Sequence, residues 1–110
     1  MKDDKVYFLH IIDAMEAIES FIEGKSQADF LKDRLLQDGV VRNLEVIGEA
    51  AKNLSKTAKA KCPDIEWQKV SGMRDILIHQ YFGVDLENVW RVVINRLPEL
   101  KEKILKIIDS

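Results

Sequence analysis

Cysteine, proline and glycine are scarce in this sequence. The 110 residues include one cysteine, two prolines and five glycines. The single cysteine, Cys62, excludes an intrachain disulfide and a cluster of thiolate metal ligands, and it suits a reducing compartment. So few glycines and prolines provide little material for the many turns of an all-β fold. The abundance of Leu, Ile, Ala, Glu and Lys favours helices instead.

Long apolar runs and a strong excess of one charge are also missing. No apolar stretch approaches the roughly 18 residues that a membrane span requires. The sequence begins with Met1, Lys2, Asp3 and Asp4, which places acids where a signal peptide needs a basic start. We therefore expect a cytoplasmic protein with no membrane partner. The net charge of −2 excludes a broad attraction to nucleic acid, so any RNA contact must be local.

Apolar residues recur at helical spacing along most of the chain. The last apolar run contains Pro98, which predicts a kink near Asn95 or two abutting helices. A chain of 110 residues has room for one modest core. We expect a single all-α domain over residues 1–110, an antiparallel bundle of about five helices. The predicted helices cover about residues 3–23, 26–37, 40–54, 67–79 and 86–107.

Local signals set some of the predicted boundaries. Ser26 opens a capping-box-like start for the second helix. The pair Asp38 and Gly39 marks a bend or a restart before the third helix. Between residues 55 and 66 the periodicity fades, which predicts a connection with at most one helical turn. Asp85 can cap the last helix.

Three residues with complementary chemistry lie in the run 74–81, near the end of the fourth helix. Arg74 offers a fork of donors that suits the two free oxygens of a phosphodiester. His79 can take and give a proton near neutral pH, and Tyr81 follows it. Arg and His together are the smallest set of side chains that can cleave RNA without a metal ion, by attack of the ribose 2′-OH on the adjacent phosphate. The guanidinium can stabilise the negative charge that develops on the pentavalent phosphorus. We therefore expect no metal ion and no cofactor.

Helical geometry limits what one chain can do with this motif. Residues five apart in a straight helix are separated by about 140° around the axis, so Arg74 and His79 would face different directions. Either the helix ends before His79, or a two-fold dimer brings two copies of the motif into one cleft. We favour the dimer.

The same residues also allow a purely structural interpretation. Arg74 could pair with Asp75 or with a neighbouring acid. His79 could pack near a helix C-terminus, where its charged form is favoured. Composition and spacing alone favour this interpretation over catalysis.

A longer pattern connects the motif with the rest of the chain. It consists, in order, of RNLEVIGEAA at residues 42–51, Trp67, GMRDILIHQYFGVD at residues 72–85, Val-Trp at residues 89–90 and Leu-Pro at residues 97–98. In order and approximate spacing, this pattern resembles the HepT-like proteins of the HEPN superfamily, and the resemblance spans nearly the whole chain. The Arg-x4-His-x-Tyr element joined to the Ile-Gly-Glu-Ala block is more specific than either alone.

The resemblance implies a homodimeric helical bundle that acts as a toxin ribonuclease in a type VII-like toxin–antitoxin system. Arg74 and His79 would be the catalytic residues in a cleft at the dimer interface, and Asp75 would support the site. The partner would be an MntA-type nucleotidyltransferase antitoxin that transfers AMP from ATP to Tyr81. The added adenylate would fill the cleft and place negative charge where the RNA phosphate should bind.

Several other conspicuous residues are expected to be structural. We expect Trp67 and Trp90 to pack in the core or in the dimer interface, because aromatic side chains dominate buried area. We expect Arg42 and Glu49 to pair across helices or to cap the interface. We expect His10, on the first helix, to be a surface or core residue without a catalytic role.

Two further functions remain open at this point. A non-catalytic helical dimer could be the binding partner or substrate of a nucleotidyltransferase, which the acidic pI of about 5.7 favours slightly. A structural interaction domain would leave Tyr81 unmodified when transferase and ATP are supplied. Growth arrest or RNA fragments on overexpression of the chain alone would separate the nuclease from both.

Overall fold

In a computed structural model, the described residues form seven α-helices and one π-helical segment. The structure describes residues 2–79 and 85–109, and the side chains of Lys2 and of residues 74–79 are outside that description. This part of the chain contains no strand, which confirms the predicted all-α class. The elements are α1 (Lys2–Ile22), α2 (Gln27–Lys32), α3 (Arg34–Lys52), α4 (Lys56–Ala60), α5 (Trp67–His79), α6 (Leu86–Arg91), a π-helical segment (Val92–Arg96) and α7 (Leu97–Asp109).

The capping box predicted at Ser26 is present. The Ser26 hydroxyl accepts from the backbone N–H of Asp29 at 3.1 Å, and the Asp29 carboxylate accepts from the backbone N–H of Ser26 at 2.9 Å. Gly24, with φ of 73°, makes the preceding turn in the left-handed region that glycine adopts without strain. The two short-range signals therefore define the passage from α1 to α2.

The predicted break at Asp38 and Gly39 is wrong. The helical conformation is interrupted at Asp33 instead. The backbone of Asp33 is extended, and its carboxylate accepts from the N–H of Leu36 at 3.1 Å. This bond caps α3, which begins at Arg34, six residues before the predicted start at residue 40, because Asp satisfies a free N–H at a helix start. Gly39 lies inside α3, where a Cβ would stand 3.2 Å from the ring of Phe21.

The C-terminal helices form a nearly continuous stretch with one local distortion. The N–H of Leu97 donates to the carbonyl oxygen of Val92, five residues back, as in a π-turn. Pro98 has no N–H to donate to the carbonyl oxygen of Ile94, so the standard α-helical ladder is interrupted at this point. The distortion predicted near Asn95 is therefore confirmed, and its form is a π-helical segment over Val92–Arg96.

The core is formed where α3 packs against α1 and α5, with α7 against α1. On the outer side of this core, the ammonium of Lys101 binds both carboxylate oxygens of Glu19, at 2.9 and 3.1 Å, and so joins α7 to α1. No helix in the described residues is long and apolar enough to cross a membrane. The largest side chains with almost no exposure are Phe30, Ile11, Met15, Ile18, Leu44, Ile47, Ile104 and Val40.

Candidate functional site

Helix α5 carries the candidate catalytic positions, and its first turn is fixed by Trp67. The indole Nε1 of Trp67 donates to the carbonyl oxygen of Lys59 at 3.0 Å, which attaches α5 to α4. The ring is 8% exposed and lies 6.3 Å from the ring of Phe8 in α1. Trp67 therefore packs in the core, as predicted, and holds the start of the site helix.

The helix runs without interruption from Trp67 to His79. One of the two geometric possibilities considered for the motif, a helix that ends before His79, is therefore wrong. Val70 and Met73 are partly buried against the core, which orients the helix relative to α3. Arg74, Asp75 and His79 all follow within this oriented helix.

The register of α5 puts positions 74 and 79 on different sides. Arg74 comes seven residues after Trp67, and His79 comes seven residues after Gly72, so each lies about 20° from that earlier residue around the axis. Positions 74 and 79 are themselves about 140° and 7.5 Å apart along the helix. One chain therefore does not bring the two positions to one side of α5. The Arg74, Asp75 and His79 side chains and the whole of Tyr81 lie outside the described residues.

A cleft of about 880 Å³ lies between α5 and the C-terminal helices, and we call it the α5–α7 cleft. Gly72 and Met73 line it on the α5 side. Three basic residues of the opposite wall, Arg91, Arg96 and Lys103, were not singled out by sequence reasoning. The available signal was the spacing of seven between Arg96 and Lys103, which places both on one side of a helix.

Positive charge in the cleft lowers the pKa of Glu66, at the start of α5. The Lys69 ammonium lies 2.7 Å from the Glu66 carboxylate, and this hydrogen bond and charge are the main causes that lower the pKa of Glu66. The nearby positive charges of Arg96 and Lys103 lower this pKa further. The C-terminal cations are thus close enough to α5 to act on a charged group across the cleft.

A second, smaller groove of about 390 Å³ lies between α1 and α3. The Tyr7 and His10 rings meet edge to face in it, with centroids 6.3 Å apart. The Arg42 guanidinium is 74% exposed and lies 4.0 Å from the Glu45 carboxylate, which is a weak contact within one helix. Arg42 therefore pairs within α3, and not across helices as predicted.

Comparisons with known proteins find one matching family and several similar proteins. The model of the family described as ribonuclease HepT-like matches residues 11–107. A Methanocaldococcus jannaschii protein named as a gamma-glutamylcyclotransferase and putative RNase is 47% identical over 99% of this chain, which spans 49% of that protein. A Thermococcus cleftensis protein named as a probable ribonuclease HepT is 42% identical, over 96% of each chain.

A third relative matches along almost the full length of both chains. It is a Caldanaerobacter subterraneus subsp. tengcongensis protein named as a putative RNase, 40% identical over 100% of this chain and 98% of its own. No solved structure gives a significant match. The family match covers most of the chain, including the α5 motif that suggested the resemblance. The chain belongs to the HepT-like ribonuclease family.

Proposed function

We propose that this protein is an endoribonuclease that cleaves RNA without a metal ion, with Arg74 and His79 as its catalytic residues. The observation that carries the proposal is the Arg-x4-His-x-Tyr motif, whose Arg74 and His79 positions lie in the last turns of α5, in a chain of the HepT-like ribonuclease family. Three relatives named as ribonucleases or putative RNases, at 40 to 47% identity, support the same activity.

The proposed chemistry needs only an acid–base group and a cation at the phosphate. An imidazole of His79 takes the proton of the ribose 2′-OH, and the 2′ oxygen attacks the adjacent phosphorus. The bond from phosphorus to the 5′ oxygen breaks, and that oxygen takes a proton from an imidazolium. The products are a 2′,3′-cyclic phosphate and a free 5′-OH. The Arg74 guanidinium stabilises the charge on the pentavalent phosphorus.

We propose that the working site is formed by a homodimer. Positions 74 and 79 lie about 140° apart on one uninterrupted helix, so a single chain offers one catalytic position to each side. A two-fold axis near α5 would place Arg74 of one protomer beside His79 of its partner. The imidazole that takes the 2′-OH proton becomes the imidazolium that returns a proton to the 5′ oxygen, so each site needs one Arg74 and one His79. Asp75, between the two positions, would support the site.

We further propose that the protein is the toxin of a type VII-like toxin–antitoxin system in the cytoplasm. The partner is an MntA-type nucleotidyltransferase antitoxin. It would attach the phosphorus of an AMP group from ATP to the phenolic oxygen of Tyr81, with release of pyrophosphate. Tyr81 lies two residues after His79, so the adenylate would add bulk and negative charge next to the catalytic imidazole.

The nuclease proposal is tested by RNA cleavage with purified protein. We expect wild-type protein to cut single-stranded RNA and His79→Ala to lose at least about 100-fold in rate, the usual contribution of a general acid–base group. His10→Ala is the matched control, because His10 is the only other histidine and is exposed on α1. Equal rates for His79→Ala and His10→Ala, with unchanged circular dichroism, would overturn the assignment.

The regulatory proposal is tested by mass spectrometry after incubation with the transferase and ATP. We expect mass increases of whole AMP units in wild-type protein and none in Tyr81→Phe. Tyr7→Phe removes the only other tyrosine and should be modified like wild type. Modification of Tyr81→Phe to the wild-type extent would contradict the proposed acceptor.

A further inference from the structure

The α5–α7 cleft combines an apolar floor with basic residues on its wall. The floor is formed by the buried side chains of Leu44, Val89 and Leu97 together with the partly buried Val70 and Met73. The volume of about 880 Å³ lies in the range of small-molecule sites, about 300–1,000 Å³. The cleft can therefore take a flat apolar group the size of a nucleobase together with its sugar.

Three cations of the wall have no acidic partner in the described part of the chain. Arg91, Arg96 and Lys103 line the cleft, and no carboxylate among the described side chains, those of residues 3–73 and 85–109, lies within 4.0 Å of them. Lys106, one turn further along α7 and outside the cleft, lies 3.6 Å from the Glu102 carboxylate.

Four acids line the cleft among the described residues, and two of them are already engaged. The Glu66 carboxylate binds Lys69, and the Asp85 carboxylate accepts from the backbone N–H of Asn88 at 3.2 Å. The two remaining acids, Asp64 and Glu99, are outnumbered by the three cations Arg91, Arg96 and Lys103. The cations that remain available make the wall a site for an anion, and both the guanidinium groups of Arg91 and Arg96 and the ammonium of Lys103 can bind phosphate oxygens.

The cleft lies on the side of α5 that also carries position 79. Gly72 lines the cleft, and position 79 is seven residues further, about 20° around the axis and about 10 Å along it. A Cβ at Gly72 would meet no atom within 4 Å, so the wall is open at this point. A bound nucleotide would therefore lie within reach of a neighbouring phosphate at the end of α5.

We propose that the α5–α7 cleft binds a nucleotide of the RNA substrate adjacent to the cleaved bond. The base lies on the apolar floor, and the backbone phosphates contact Arg96 and Lys103. The side-chain amides of Asn88 and Asn95 also line the cleft and can hydrogen-bond to base edges. This inference rests on the proposed ribonuclease function and names where its substrate binds.

The test compares a cleft variant with a variant of equal charge loss elsewhere. Binding of a labelled short single-stranded RNA is measured by fluorescence anisotropy in a His79→Ala background, so that no RNA is cut. We expect Arg96→Ala/Lys103→Ala to weaken binding about tenfold and to reduce the slope of log K against log salt by about 1.4, for two lost phosphate contacts. The control Arg34→Ala/Lys106→Ala removes two exposed cations outside the cleft and should bind within about twofold of the parent.

A second variant tests the cleft without removing charge. Gly72→Leu places a side chain into open space on the cleft wall, so the fold should tolerate it while the base site is filled. We expect weaker RNA binding with an unchanged melting temperature or a higher one. With His79 intact, both cleft variants should raise KM and leave kcat within about twofold, as expected for lost substrate binding.

The outcomes separate this inference from the proposed function. Equal RNA affinity of the cleft and control variants would overturn the inference, while RNA cleavage by wild type would leave the nuclease proposal standing. Loss of binding in the cleft variants alone, with a wild type that cuts no RNA, would overturn the nuclease proposal and retain RNA binding in the cleft. A cleft variant whose only defect is a changed oligomeric mass in light scattering would assign the cleft to contacts between copies and overturn the inference.

Discussion

Asp4 of α1 and Ser55, which precedes α4, are 51 positions apart in the sequence and share two hydrogen bonds. The Asp4 carboxylate accepts from the Ser55 backbone N–H at 2.9 Å and from its hydroxyl at 2.7 Å. The Ser55 hydroxyl oxygen also accepts from the N–H of Ala58 at 3.1 Å, which caps α4. One buried carboxylate thus joins the start of α1 to the helix that holds Trp67 in place.

This contact predicts an acid-sensitive contribution to stability. The two hydrogen bonds from Ser55 favour the charged carboxylate and lower the pKa of Asp4 below its ordinary value of 3.8. The unfolded chain therefore binds the proton more readily than the folded one. The stabilisation is complete above the unfolded pKa and is lost as the pH falls through the lower folded pKa.

Urea unfolding of wild type and Asp4→Asn at several pH values measures the effect. We expect Asp4→Asn to be less stable at pH 7, and the difference to shrink below about pH 4, where the unfolded carboxyl is protonated. Asp3→Asn, at an exposed neighbouring acid, is the control and should change little. A difference between wild type and Asp4→Asn that stays constant from pH 7 to pH 2 would contradict the prediction.

The Trp67 indole hydrogen bond is expected to have a measurable effect of its own. Trp67→Phe keeps an aromatic ring in the core but removes the donor to the Lys59 carbonyl oxygen. Trp90→Phe is a matched control, because Trp90 packs 5.4 Å from the Phe30 ring and donates no indole hydrogen bond in the described residues. We expect Trp67→Phe to cost about 1 kcal/mol more than Trp90→Phe in the free energy of unfolding. Equal losses in urea titrations would show that ring volume alone determines both.

Two helical glycines should respond differently to alanine. Gly72→Ala meets no atom within 4 Å and should stabilise the protein by about 1 kcal/mol, the usual helix preference for alanine. Gly39→Ala places a Cβ 3.2 and 3.3 Å from two ring carbons of Phe21, so the ring, which is 42% exposed, must shift. Gly39→Ala should therefore increase stability less than Gly72→Ala does. Melting temperatures in the opposite order would contradict this account.

A site shared between protomers predicts complementation between two inactive variants. Arg74→Ala and His79→Ala should each be inactive alone. When the two are refolded together, half of the dimers are mixed, and each mixed dimer holds one intact site out of two. We expect RNA cleavage to return to about one quarter of the wild-type rate. Activity that stays at the level of the separate variants, with mixed dimers present by native mass spectrometry, would place both residues in one chain's site.

Local sequence signals predicted most of the helix boundaries, because the interactions that set them lie within a few residues. The capping box at Ser26 and the cap at Asp85 are formed by side chains that reach a backbone N–H three positions away. The bounds of α5 follow from apolar spacing and agree with the structure. The break at Asp33 was missed because the glycine at position 39 suggested a break there. Only the packing of Phe21 against Gly39 shows why glycine is tolerated inside the helix.

The sequence by itself determined the helical class and the family, and its spacing of five residues between Arg74 and His79 corresponds to about 140° wherever both lie in one straight helix. That α5 continues without a break to His79 was decided by the structure. The tertiary structure decided what lies beside that helix. Arg91, Arg96 and Lys103 are distant from α5 in the sequence and have no local pattern in common with it. They face Gly72 and Met73 across the cleft only because the core packs the C-terminal helices onto α1 and leaves an open space beside α5.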